Sequence, residues 1–202
     1  MTVTTCANTN FQRDDSLDNL LSTFKAFIVE ARRLQSLYSD RIELLVGLET
    51  EYIIGDDVER LESLVAEVGG VDYIVGSVHH VAEVPIDFDQ PHFQHALDTV
   101  AASAGLVSSD VNAQHEQLCV RYLDSQYNLL TKLQPTVVGH FDLCRLYRPD
   151  FSLKDNSEVW SRVERNVAYA VSYGALFEAN AAAFRKGWHS AYPGPDVAKV
   201  RS

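Results

Sequence analysis

Polar residues able to ligate a cation fall in four short groups along the chain: Glu49 and Glu51, His79 and His80, His140 and Asp142, and Glu178 and Asn180. Each group follows an apolar run too short for a helix: 42 to 46, 73 to 78, 136 to 138 and 175 to 177. Carboxylates and imidazoles hold divalent metal ions, and one carboxylate can bridge two of them. A single histidine at the end of a strand is ordinarily a structural residue satisfied by its neighbours. The coincidence of all four groups points to a metal site, because they would converge on one face if the runs are parallel strands of a βα fold. His92 and His95 have a three-residue spacing that would also suit a metal, but they fall at the start of a helix among polar neighbours and are read as surface residues. His115 and His189 are read as structural.

The elements that must position these groups follow from periodicity. Leu17, Leu20, Leu21, Phe24, Phe27, Ile28, Ala31 and Leu34 recur at three- and four-residue spacing, an amphipathic helix with Asp14, Asp15 and Ser16 as capping candidates. A strand is expected over 42 to 47 and a helix over 58 to 68, ended by Gly69 and Gly70. The pattern repeats with a strand over 71 to 78, a loop containing Pro85 and Pro91, and a helix over 93 to 104. A long helix carrying Leu118, Tyr122, Leu129 and Leu133 stops at Pro135. A strand at 136 to 138 follows, then a helix capped by Ser157 with Val159, Val163, Val167 and Val171 on one face, then a strand at 175 to 177. Apolar strands alternating with helices predict parallel βα units and an α/β fold.

A chain of 202 residues, 46% hydrophobic, fits one domain with a sizeable core. No apolar run is long enough to span a bilayer, and residues 1 to 10 are polar where a secretory signal would be apolar, so a cytoplasmic protein is expected. Cys6, Cys119 and Cys144 form no CxxC pair and are odd in number, which predicts reduced thiols. The net charge of −11 excludes a nucleic-acid backbone or an acidic membrane surface as the main partner. A small anionic substrate remains compatible, with bound cations supplying the local positive charge.

The stretches VGLETEYI (46 to 53), DYIVGSVHHVAEVPIDFD (72 to 89), DSQYNLL (124 to 130), VVGHFDLCRL (137 to 146) and FEANAAAFRKGWHSAYP (177 to 193) resemble successive blocks of fungal-type histidinol phosphatases. These belong to the polymerase-and-histidinol-phosphatase (PHP) superfamily, and the likeness runs from about Phe24 to Pro193. The resemblance implies a distorted (β/α)7 TIM-like barrel holding up to three divalent metal ions (zinc, manganese or iron). It also implies hydrolysis of L-histidinol phosphate to L-histidinol and phosphate, a step of histidine biosynthesis. Carried over block by block, Glu49 matches the metal-bridging glutamate, and His79 and His140 match histidines that share one metal with it. Arg185 and Lys186 match a segment near the substrate phosphate, where an arginine can hold phosphate oxygens bidentately.

The chain departs from the family pattern in having no HxH pair and no DxH block. On that basis the expectation is a partial barrel over 24 to 202 that lacks its first and last strands, preceded by a divergent polar lead-in over 1 to 23. It would hold one metal and act on a small phosphorylated substrate with impaired activity. The alternative expectation is a non-catalytic remnant that binds at most one metal or self-associates through open barrel edges.

Overall fold

The computed structural model describes residues 17–106 and 110–200. In chain order the elements are α1 (Leu17–Leu37), β1 (Gly47–Glu49), α2 (Asp56–Glu67), β2 (Tyr73–Gly76), β3 (His80–Val81), β4 (Val84–Pro85), α3 (Gln90–Ala104), α4 (Val111–Leu133), β5 (Val137–Val138), α5 (Ser157–Ser172), β6 (Leu176–Phe177) and α6 (Ala182–Arg185). Four strands pair in parallel in the order β1-β2-β5-β6, with Gly47 opposite Tyr73, Val75 opposite Val137 and Val138 opposite Phe177. Parallel neighbours need crossovers, and helices supply them: α2 between β1 and β2, α3 and α4 between β2 and β5, α5 between β5 and β6. The chain is therefore an α/β fold, and its strand order advances in one direction without the reversal of a doubly wound sheet.

Helix starts obey local chemistry. Asp89 accepts from the His92 N–H at the start of α3, where Pro91 also fits the first turn. Asp110 accepts from Ala113 N on α4. On α5 the cap is Asn156, which accepts from Val159 N, so Ser157 is the first helical residue and not the cap. Asp14 to Ser16, the caps expected for α1, lie outside the described residues, as does Cys6.

Two strand readings shift. The first strand occupies Gly47–Glu49 and not 42 to 47: its pairing with β2 begins where Gly47 meets Tyr73, and the Val46 N–H is taken by the Asp72 carboxylate at 2.6 Å. Glu49 thereby becomes a strand residue. The stretch containing Pro85 is a β3–β4 hairpin whose turn residues, Ala82 and Glu83, both adopt positive φ (51° and 65°). Two-residue hairpins ask for that geometry, but normally with Asn or Gly, so the sequence carried no turn signal.

The core is organised around α4. Its Leu118, Tyr122, Leu123, Leu129 and Leu130 are buried, packing with Phe93 and Leu97 of α3 and Val159 and Val163 of α5. Val171, expected on the same face, is exposed: a stripe of four-residue steps drifts around a helix of 3.6 residues per turn, and Ala170 faces the core in that turn instead. Among the described residues no helix is long and apolar enough to cross a membrane.

Candidate metal centre

The carboxyl ends of β1, β2 and β5 bring Glu49, His79 and His140 together. His79 Nε2 and His140 Nε2 are 3.0 Å apart, and Glu49 Oε1 is 3.5 Å from the first and 3.3 Å from the second. Ligand atoms about 2.0 to 2.1 Å from one tetrahedral cation stand roughly 3.3 to 3.5 Å apart, so the two distances to Glu49 match edges of such a polyhedron and the 3.0 Å imidazole pair is slightly shorter than one. The two imidazole nitrogens face each other beside the Glu49 carboxylate, an arrangement that either a proton or a shared cation satisfies. Among the described residues this is the group whose ligand atoms converge, and its side chains are largely buried. The donor set, one carboxylate and two imidazoles, suits zinc, manganese or iron(II) and leaves coordination positions open for water or substrate.

Each of the three side chains is held by its own element. Ser77 Oγ donates to Glu49 Oε1 at 2.6 Å, and Thr50 Oγ1 exchanges hydrogen bonds with the backbone of Ser77, which locks the β1 exit to the β2 exit. Gly139 lies against this contact; a Cβ there would collide with Ser77 Oγ. The loop after β5 is fastened by three side chains of α4. His115 Nε2 bonds the Cys144 carbonyl at 2.9 Å, Tyr122 donates to the His140 carbonyl at 3.3 Å, and Gln126 donates to the Phe141 carbonyl at 3.1 Å. Glu178, just past β6, accepts from the His140 N–H at 2.8 Å and is steadied by Asn180. Glu178 thus acts on the backbone that carries His140, and Asn180 acts only through Glu178.

Charge binds the other wall. Glu51 Oε2 lies 3.2 Å from His79 Nδ1 and Oε1 lies 2.8 Å from His80 Nδ1. Burial by itself would raise the Glu51 carboxyl, but the two imidazoles hold it at about 2. Burial would likewise depress His79, and the carboxylates of Glu49 and Glu51 reverse this, pushing it up to about 10. Without a cation the site keeps a proton on His79; a cation would displace it.

The remaining polar residues divide. Asp142, one of the strand-end carboxylates, is fully buried but serves Arg145 Nη2 (2.8 Å) and the Gly194 N–H (2.9 Å). Burial pushes its pKa up, against the pull of Arg145. Arg145 also covers the Trp188 ring at 5.0 Å. Nothing in the residue pattern singled out this ion pair. Arg185 closes α6 and Lys186 follows it, both exposed, and no hydrogen bond or ion pair ties either to the triad among the described residues. His92 pairs with Asp89 at 2.6 Å and His95 is exposed, away from the triad. His115 is fully buried between the Phe93 and Phe151 rings. Cys119 and Cys144 are free and buried.

Residues 15–182 match the family model described as the PHP domain. A protein named probable histidinol-phosphatase in Schizosaccharomyces pombe is 45% identical over 179 residues, covering 87% of this chain and 55% of that protein. The histidinol-phosphatase of Saccharomyces cerevisiae is 30% identical over 207 residues, covering 89% and 58% respectively. A crystal structure from Listeria monocytogenes, described as that of a candidate histidinol phosphatase, superposes with a TM-score of 0.65 at 18% identity, over 88% of this chain and 65% of its own, a likeness of fold. The chain spans a little over half the length of the curated relatives it matches. With three candidate ligand atoms converging at the exits of parallel strands and the PHP model matched over most of its length, the chain belongs to the PHP-domain family.

Proposed function

We propose that this chain carries part of a metal-dependent phosphomonoesterase site that hydrolyses L-histidinol phosphate, with Glu49, His79 and His140 as ligands of one divalent cation. The observation that carries the reading is the convergence of Glu49 Oε1, His79 Nε2 and His140 Nε2 at 3.0 to 3.5 Å. The two fungal relatives named as histidinol-phosphatases support the choice of substrate. The one-directional strand order supports reading the sheet as consecutive staves of a TIM-like barrel, whose active face is the carboxyl end of the strands.

A cation held there would act as a Lewis acid on a phosphoryl oxygen and make bound water more acidic. The chain's own residues do the rest. Glu49 offsets the cation's charge, Ser77 fixes the carboxylate's orientation, and His79 gives up its proton on loading. Arg185 and Lys186, exposed at the end of α6, are the candidates for meeting phosphate oxygens, as the resemblance to the family implies. The test is release of inorganic phosphate from L-histidinol phosphate by the purified chain with added zinc or manganese. Release that a chelator abolishes and that Glu49→Gln loses supports the reading. No metal-dependent release, or release unchanged in Glu49→Gln, overturns it.

A further inference from the structure

We infer that Glu51 is a positioning residue for the centre: its carboxylate spans the Nδ1 atoms of His79 and His80 and so turns His79 Nε2 toward Glu49 and His140. This rests on the metal reading above but concerns a residue that touches no ligand position itself. Glu51 lies two residues beyond Glu49, just past the end of β1, while His79 and His80 straddle the step from the β2 exit into β3. Its two oxygens are therefore shared between two imidazoles, 3.2 Å from one and 2.8 Å from the other, across the β1–β2 boundary.

The chemistry follows from the imidazole's two nitrogens. If Nε2 is to offer a lone pair to a cation, the remaining proton must sit on Nδ1, and an acceptor at Nδ1 selects that tautomer and fixes the ring. His79 Nδ1 is buried and forms no well-angled hydrogen bond, and Glu51 Oε2 is the carboxylate oxygen beside it. A small rotation of the ring, of the kind needed to open the short 3.0 Å Nε2–Nε2 contact around a cation, would bring Nδ1–H into line with that oxygen. The second oxygen's bond to His80 keeps Glu51 from following a ligand into the centre, since both oxygens are engaged. His80, with its side chain only 9% exposed, is thereby an anchor and not a ligand.

The experiment measures zinc affinity by competition with a chromophoric chelator, and the Nδ1–H resonance of His79 by proton–nitrogen NMR, for the wild-type chain, Glu51→Ala, Glu51→Gln and Glu49→Gln. Glu51→Ala is expected to bind zinc about 10- to 100-fold more weakly, the usual cost of losing an outer-shell partner. Glu51→Gln, whose amide oxygen can still accept, should recover part of that loss. The slowly exchanging Nδ1–H signal should be present in the wild type and absent in Glu51→Ala. Zinc affinity in Glu51→Ala equal to wild type, while Glu49→Gln loses it, overturns the inference and leaves the metal site standing. If the wild-type chain binds no zinc, the metal reading fails, and the Nδ1–H signal still decides whether Glu51 holds the ring: its persistence in Glu51→Ala overturns the inference.

Discussion

The two walls of the centre are built on different principles. His140 stands on a loop whose carbonyls are taken by His115, Tyr122 and Gln126, side chains of one face of α4 that are all deeply buried. Glu49 and His79 stand on the exits of β1 and β2, tied by Ser77 and by the Glu51 carboxylate to the two imidazoles. The first wall is held by hydrogen bonds in the core and needs no cation for its shape. The second is held mainly by ionised groups beside the ligand position, so its shape depends on protonation and will adjust when a cation arrives. A rigid wall facing an adjustable one lets the site be largely formed before loading.

The sharpest way to break the first wall is Gln126→Ala. Gln126 donates to the Phe141 carbonyl and accepts from Asn166, and it is buried. Its loss leaves a buried carbonyl without its donor and a cavity beside it, a combination expected to cost about 2 to 4 kcal/mol. Chemical denaturation should show that loss, and zinc affinity should fall with it because His140 is no longer held.

Gly139→Ala acts where the walls meet. The new methyl would displace Ser77 Oγ, the donor to Glu49, and adjustment of this kind costs about 1 to 3 kcal/mol. The expected signature is a larger relative loss of zinc affinity than of stability. A variant that melts lower yet binds zinc as well as wild type would show that Ser77 does not orient Glu49.

The second wall should respond to pH where the first does not. In the cation-free chain Glu51 is held near 2, below its ordinary 4.5, so its contribution is present above 4.5 and disappears as pH falls toward 2. His79 is raised to about 10 from 6.5, so its contribution is complete below 6.5 and disappears as pH rises through 10. Melting temperatures of the wild type between pH 3 and 10 should decline at both ends, and Glu51→Gln should flatten both declines. Zinc binding at neutral pH should release a proton and tighten toward alkaline pH, measurable by calorimetry in buffers of differing ionisation enthalpy. Profiles of the same shape in wild type and Glu51→Gln would remove the distinction between the walls.

How much of this the sequence discloses depends on the kind of signal. Residues 49, 79 and 140 are among the eight polar residues that follow apolar runs, and it is the resemblance to the family that singles them out, while the alternation of runs and helical periods reveals parallel βα units. The bounds of β1 are not legible, since the first paired residue is chosen by Tyr73 across the sheet and by the Asp72 side chain, 26 residues from Val46. The β3–β4 hairpin is hidden because Ala82 and Glu83 occupy left-handed positions against their own preference. Least legible is the underpinning of the His140 loop. His115, Tyr122 and Gln126 recur at seven- and four-residue spacing, the period of an ordinary buried face, and nothing in that period says that the face grips carbonyls and not only methyl groups. The same blindness covers Arg145 and Asp142, three residues apart across a single short 3-10 turn, 143 to 145.

The smallest expected effect belongs to Tyr122→Phe. Tyr122 is as buried as Gln126 and belongs to the same wall, so burial alone would predict a comparable loss. The acceptor, however, is not left bare: the His140 carbonyl also receives the Leu143 N–H at 3.0 Å, shorter than its 3.3 Å bond from the tyrosine. The substitution keeps the ring and its packing, removes one long hydrogen bond, and strands no carbonyl, so about 0.5 to 1 kcal/mol is the expected cost. Zinc affinity should stay within about twofold of wild type, since a change of less than about 0.4 kcal/mol at the ligand would not be resolved as more. A loss equal to that of Gln126→Ala would mean that the tyrosine hydroxyl, and not the backbone turn through Leu143, sets the height of His140.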